Sequence, residues 1–165
     1  MKQRVYSILV DNSAGVLSRV ASLFSRRGYN IDSLTVGVTA DPAFSRMTIV
    51  TSGEDLVLEQ IRKQLGKLED VRDIKVLEKG SSVTHELMMI KVAVGADDRQ
   101  NLLAIADVYK ARAVDVGKTW MTFEVVGSVS KLTAFLDLFD GYEILELARS
   151  GVTGLSRGDG DVVRL

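Results

Sequence analysis

The chain has no cysteine, which excludes disulfide stapling, thiolate catalysis and cysteine metal sites. Its one histidine, His85, has only Glu86 beside it. That is too few donors for a metal ion, so His85 reads as a solvated strand-end residue. Positive charge is not in excess: 21 basic side chains face 22 acidic ones, leaving no electrostatic footprint for nucleic acid. No apolar run approaches the roughly 20 residues of a membrane span. Met1-Lys2-Gln3-Arg4 runs straight into a strand pattern, without the apolar stretch of a signal peptide. The chain is expected to be cytoplasmic, with no membrane partner. The GxxxxGK phosphate-loop pattern and any nucleophile elbow are missing as well. Neither a catalytic residue, a metal ligand nor a cofactor site is therefore assigned.

What is present is a repeat. Val5–Val10 is rich in β-branched and apolar residues, as a short strand requires. Ser13 is placed to cap a helix in which Leu17, Val20, Ala21 and Phe24 recur at i, i+3, i+4 and i+7. Gly28 follows as its left-handed terminator. Leu34, Val36 and Val38 alternate along a second strand. Asp41-Pro42, with the only proline, turns into a third strand holding Met47 and Ile49. A second helix carries Leu58, Ile61, Leu65 and Leu68, and Ile74 and Val76 close the unit.

The same order returns after Gly80-Ser81-Ser82. Met88 to Val94 alternate; a helix presents Leu102, Ile105, Ala106 and Tyr109; two strands hold Val114 and Val116, then Met121, Phe123 and Val125. Leu132, Phe135, Leu136 and Phe139 repeat the helical spacing before a last strand at Ile144 to Ala148. The fold class is α+β, two tandem ferredoxin-like βαββαβ units. Residues 1–79 form the first domain and 83–165 the second, each an open antiparallel sheet with both helices on one face. From Ser150 the glycine-rich tail follows a strand without a helix behind it, and is expected to be flexible until a partner orders it.

The segment Asn12 to Leu17 is the main candidate site. A helix start leaves amide N–H groups without acceptors and carries partial positive charge. A carboxylate fits there, and Gly15 lets it approach bare backbone. Asn12 adds an amide able to donate or accept. The same residues also suit a plain strand-to-helix turn with polar caps. Asn30, just past Gly28, is equally open to local turn bonding. Asp97-Asp98 is read as negative charge at a helix N-terminus, and Arg26-Arg27 as an exposed helix end.

Asn12-Ser13-Ala14-Gly15-Val16-Leu17-Ser18-Arg19-Val20 and Phe24 to Val36, with Arg27-Gly28-Tyr29-Asn30-Ile31-Asp32-Ser33-Leu34 at their centre, resemble the ACT domain of acetolactate synthase small subunits. Ser45 to Val50 and Ala148-Arg149-Ser150-Gly151 to Gly158 extend the resemblance over essentially the whole chain. It implies a first unit that is an ACT domain. It further implies a non-catalytic regulatory homodimer that joins and activates a thiamine-diphosphate-dependent catalytic subunit and confers feedback inhibition by valine. The effector would lie between two ACT domains, one supplying Asn12, Gly15, Val16 and Leu17, the other Asn30 and Ile31. A stand-alone amino-acid sensor acting on another enzyme is the alternative. RNA-recognition domains share the βαββαβ order but display stacking aromatics on a basic sheet, which Arg46, Met47, Thr48, Ile49 and Val50 do not provide.

Overall fold

The computed structural model describes residues 1–160, 162 and 163. The chain divides into two compact units, Met1–Val83 with the segment from Val152 onward, and Thr84–Gly151. The first contains β1 (Lys2–Asp11), α1 (Val16–Arg26), β2 (Ser33–Val38), β3 (Phe44–Gly53), α2 (Asp55–Leu65) and β4 (Val71–Val76). Its strands lie in the order β2-β3-β1-β4, all pairs antiparallel. Side chains alternate across the sheet. Tyr6, Ile8 and Val10 of β1 and Met47 and Ile49 of β3 therefore share one face, and Val16, Val20 and Phe24 of α1 and Leu58, Ile61 and Leu65 of α2 close over it. Tyr6 brings a hydroxyl into this core and donates it to the Leu58 carbonyl (2.6 Å), which removes the cost of an unpaired buried polar group.

The second unit repeats the plan with most of β5 (Ser82–Ala93), then α3 (Arg99–Val108), β6 (Arg112–Val116), β7 (Trp120–Gly127), α4 (Val129–Asp137) and β8 (Ile144–Arg149), in the order β6-β7-β5-β8. Asp97 and Asp98 lie in a 3-10 turn leading into α3, the helix-start position read from sequence. Phe135 anchors the core, its ring centroid 5.4 Å from Tyr109, 6.5 Å from Phe123 and 5.1 Å from Phe139.

Three local features depart from the sequence reading or were not covered by it. First, α1 is capped by Gly15 rather than Ser13, with no side chain bonding the cap. Second, α3 ends as α1 does, without a glycine. After Arg26, Gly28 takes φ +68°; its N–H donates to Ser25 C=O (3.2 Å), and Tyr29 N–H donates to Phe24 C=O (3.0 Å), the paired closure of a left-handed helix end. In α3 the same closure uses Lys110 at φ +55°, with Lys110 N–H donating to Asp107 C=O (3.1 Å) and Ala111 N–H to Ala106 C=O (2.8 Å). A side chain in that conformation costs roughly 1–2 kcal/mol. Lys110→Gly is accordingly expected to stabilise the second unit by about 0.5–1 kcal/mol, after the larger entropy of an unfolded glycine is subtracted. Urea titration against wild type checks it, and a lower midpoint would show that the Lys110 side chain contributes something the backbone does not reveal.

Third, the tail expected to be flexible contains a short strand, β9 (Thr153–Ser156). Val152 is buried; its N–H donates to Ser33 Oγ (2.8 Å) and its carbonyl accepts from Thr35 Oγ1 (3.0 Å). Arg157 N–H donates to the Ser81 carbonyl (2.8 Å). Polar side chains of β2 thus hold backbone that the glycine content alone would leave loose, and the chain from Val152 groups with the first unit instead of the second. Asp161, Arg164 and Leu165, inside the expected range 83–165, lie outside the described residues.

Candidate functional site

β1 ends at Asp11, whose N–H donates to the Asp70 carbonyl (2.9 Å). Its carboxylate is gripped by both Arg72 Nε (2.6 Å) and Arg72 Nη2, and this hydrogen-bonded guanidinium holds the Asp11 carboxyl below the usual aspartate range. Asn12 is fastened in three ways to the β2–β3 turn and the start of β3. Its N–H donates to Ala43 C=O (2.8 Å), its Nδ2 to Pro42 C=O (2.9 Å), and its Oδ1 accepts from Ser45 Oγ (3.2 Å). Asn12 is therefore a strut first; one amide hydrogen and one carbonyl lone pair remain for a ligand.

The chain reverses into α1 through Gly15 at φ +88°, a left-handed conformation that glycine adopts without penalty. Val16 N–H makes a long turn bond to Ser13 C=O (3.4 Å). The amides of Gly15, Leu17 and Ser18 meet no acceptor among the described residues. Val16 points into the core while Leu17 stays 45% exposed beside the open amides. This is a bare helix start with an apolar shoulder, chemistry suited to a carboxylate attached to a small hydrocarbon.

Two residues that the sequence reading passed over stand at this turn. A Cβ added to Gly15 would lie 2.9 Å from Arg19 Nη1. Arg19 in turn pairs with Asp70 through Nε (2.6 Å) and Nη2 (2.9 Å), which lowers the Asp70 carboxyl from its ordinary value. The signal was available in part: Arg19 is four residues after Gly15, on the same helix face. Its partner Asp70 is distant in sequence and could not be read from spacing.

Asn30 and Ile31 lie beyond the other end of α1. Asn30 Nδ2 donates to Asp32 Oδ1 (2.8 Å), its carbonyl accepts from Thr51 Oγ1 (2.6 Å), and Asp32 Oδ2 accepts from Ser52 Oγ (2.5 Å). Ile31 is half-buried against the core. The 11 residues of α1 separate this cluster from Gly15 by roughly 17 Å. Within one chain, then, Asn12 to Leu17 come together and Asn30 with Ile31 come together, but the two groups do not meet. Among the described residues no group of three or more His, Asp or Glu could hold a metal ion, and no helix is long and apolar enough to cross a membrane.

The βαββαβ unit with its glycine-opened first helix defines an ACT-type domain, and residues 6–73 match the AHAS small subunit-like ACT domain model. Residues 85–158 match the model for the small subunit of acetolactate synthase. The acetolactate synthase isozyme 3 small subunit of Salmonella typhimurium is 48% identical over 158 residues, 95% of this chain and 97% of that protein. The probable acetolactate synthase small subunit of Methanothermobacter thermautotrophicus is 46% identical over 155 residues, 93% of this chain and 92% of its own. A crystal structure of the acetolactate synthase small subunit from Thermotoga maritima superposes with a TM-score of 0.87 at 34% identity, covering 96% of this chain and 99% of that one. The chain belongs to the acetolactate synthase small subunit family.

Proposed function

We propose that this chain is the regulatory subunit of an acetolactate synthase: a homodimer that binds valine, activates a thiamine-diphosphate-dependent catalytic subunit and transmits feedback inhibition to it. The effector site is assigned to Asn12, Gly15, Val16 and Leu17 of one copy with Asn30 and Ile31 of the other, residues 1–79 acting as the regulatory domain.

The observation that carries this reading is the free edge of β2. Among the described strands, β2 pairs with β3 alone. Its Val38 end leads into the Thr39–Ala43 turn that holds Asn12, through Asn12 N–H on Ala43 C=O and Asn12 Nδ2 on Pro42 C=O. Its Ser33 end follows directly from Asn30 to Asp32. Antiparallel pairing of two β2 strands about a twofold axis therefore brings the Gly15 turn of one copy beside Asn30 of the other. The two half-sites that one chain separates are joined by the pairing that satisfies its open edge. Val36 and Val38, 46% and 61% exposed, would be covered in the same contact.

In such a site the valine carboxylate accepts from the Gly15 and Val16 amides at the positive end of α1, the isopropyl group rests on Leu17 and the partner copy's half-buried Ile31, and the ammonium meets acceptors at Asn12 or the carbonyls near Asn30. Calorimetric titration of the purified chain with valine, leucine and isoleucine tests the site. Saturable heat with valine, from a species sedimenting as a dimer, is the expected result. No heat with any of the three, or a compact monomer at micromolar concentration, would overturn the assignment. Activity is tested by adding the chain to its catalytic subunit: acetolactate formation should rise and become valine-sensitive, while the chain alone gives none.

A further inference from the structure

A groove of about 830 Å3 runs between the two helices of the first unit. From α1 and the residue that caps its end it is lined by Ser18, Ser22 and Arg26 and, one residue on, by Arg19, Leu23 and Arg27. These are two neighbouring rows at four-residue spacing, each about 12 Å long. Beyond the end of α2, Lys67 and Leu68 form the other wall with Gln64. Four of the lining residues are cationic and none is acidic, in a chain whose acidic side chains outnumber its basic ones, 22 to 21. Arg19 is engaged by Asp70. Arg26, Arg27 and Lys67 meet no carboxylate among the described residues.

Helix dipoles do not account for this accumulation. One cation in a last turn satisfies the C-terminal partial charge, and the effect fades within that turn. Here Arg26 already closes α1 before Arg27 is added. Lys67 stands past the end of α2, whose last turn holds Arg62 and Lys63. Three unpaired charges side by side repel one another and persist most easily where something anionic covers them.

The shape selects among anions. Leu23 and Leu68 are half-buried and packed against the core, so the floor is apolar beneath a cationic rim. The start of α1, at Ser18 and Arg19, touches one end of the groove, whereas Arg26 and Arg27 lie two turns further along α1, roughly 12 Å away, and carry their charges on long side chains without convergent backbone N–H groups. A small phosphate or carboxylate would find few simultaneous partners there. An acidic amphipathic segment would lay its apolar side on Leu23 and Leu68 and its carboxylates along Arg26, Arg27 and Lys67. Edge pairing through β2 adds strands in the plane of the sheet and leaves this helical surface uncovered.

We infer that the α1–α2 groove is the docking surface for an acidic segment of the catalytic chain. The inference rests on the regulatory-subunit reading and deepens it. The test uses the full chain and its catalytic subunit, with association measured by light scattering or interferometry over a salt series. Three readouts accompany it: valine calorimetry, sedimentation of the small chain alone, and activation. Charge reversal at Arg26→Glu, Arg27→Glu and Lys67→Glu together is expected to weaken association by roughly a hundredfold at low salt and to flatten its salt dependence. Valine binding and dimerisation should be unchanged, which shows that the variant is folded. Arg26→Lys with Arg27→Lys should retain most of the association. Unaltered association of the triple variant overturns this inference alone. Failure of the wild-type chain to associate at all overturns the regulatory reading and this inference with it. Tight binding of citrate or inorganic triphosphate to the free chain, lost in the triple variant while association persists, would assign the groove to a small anion and overturn docking.

Discussion

Gly15→Asp should eliminate valine binding and leave a folded dimer. The reasoning starts from the backbone. At φ +88° any L-residue is strained, but aspartate is among those that tolerate the left-handed region best, at a cost of roughly 1 kcal/mol. The added Cβ would sit 2.9 Å from Arg19 Nη1, the far end of a flexible side chain that can withdraw. Folding therefore survives. The new carboxylate then occupies the space beside the Gly15 and Val16 amides where the effector's carboxylate is proposed to bind, and competes for the same N–H groups. Each charge-assisted hydrogen bond lost from the ligand costs about 1.5–3 kcal/mol, or one to two orders of magnitude in affinity. Gly15→Ala provides the calibration. It carries the same Cβ and at least as much backbone strain without the charge, so any further loss of binding in the aspartate variant reports occupation of the anion site. Calorimetry and feedback-inhibition assays should show the alanine variant weakened and the aspartate variant unresponsive, both still activating the catalytic subunit. Wild-type valine sensitivity in a folded Gly15→Asp protein would place the effector elsewhere.

The sequence made the architecture legible because hydrophobic period is a local property. The row of Leu132 to Phe139 and the alternation through Met88 to Val94 each report one element's buried face without reference to the rest. The row of Leu17 to Phe24 located α1 but only half its buried face, since Val20 and Phe24 are buried with Val16 while Leu17 and Ala21 are exposed. Gly28 was readable for the same reason. Lys110, doing the same work at the end of α3, was not: a lysine at φ +55° announces nothing in sequence. Ser13 was read as the cap of α1 because serine favours that position. The chain instead leaves the helix start open at Gly15, which a maximally stable turn would not do but a ligand turn requires. The tie of Asn12 to Pro42 and Ala43, the Arg19–Asp70 pair and the stitching of Val152 to Ser33 and Thr35 join residues dozens of positions apart. Such pairs depend on strand order and register, which no local pattern encodes. The second half of the proposed effector site does not come from the same copy, since α1 keeps Asn30 roughly 17 Å from Gly15.

Arg149→Ala is expected to cost the second unit about 3 kcal/mol, for a reason that lies at the end of its sheet. Glu86 belongs to the helix-side face of β5 with Met88, Ile90 and Val92, yet its side chain is only 5% exposed. Arg149 stands opposite Met88 on β8, hence diagonal to Glu86 on the same face. It donates from Nε to Oε1 (3.0 Å) and from Nη2 to Oε2 (2.6 Å). This paired fork is what permits a carboxylate so far out of water. Truncating the arginine leaves the carboxylate desolvated and alone, a change far more damaging than loss of a surface ion pair, which is worth at most about 1 kcal/mol. The guanidinium is 34% exposed, so water can enter after truncation, which places the loss at the lower end of the range for buried pairs. In a unit of residues 84–151, with a stability of roughly 3–10 kcal/mol, that is a large fraction. Trp120, the only tryptophan, lies in this unit and reports its urea transition directly. Removing both charges, with Glu86→Gln and Arg149→Met, should restore stability to within about 1 kcal/mol of wild type, because no buried charge is then left unpaired. If the single truncation moved the transition by less than about 0.5 kcal/mol, the pair would behave as a surface contact, and the burial of Glu86 would have to be relieved by motion at the end of β5.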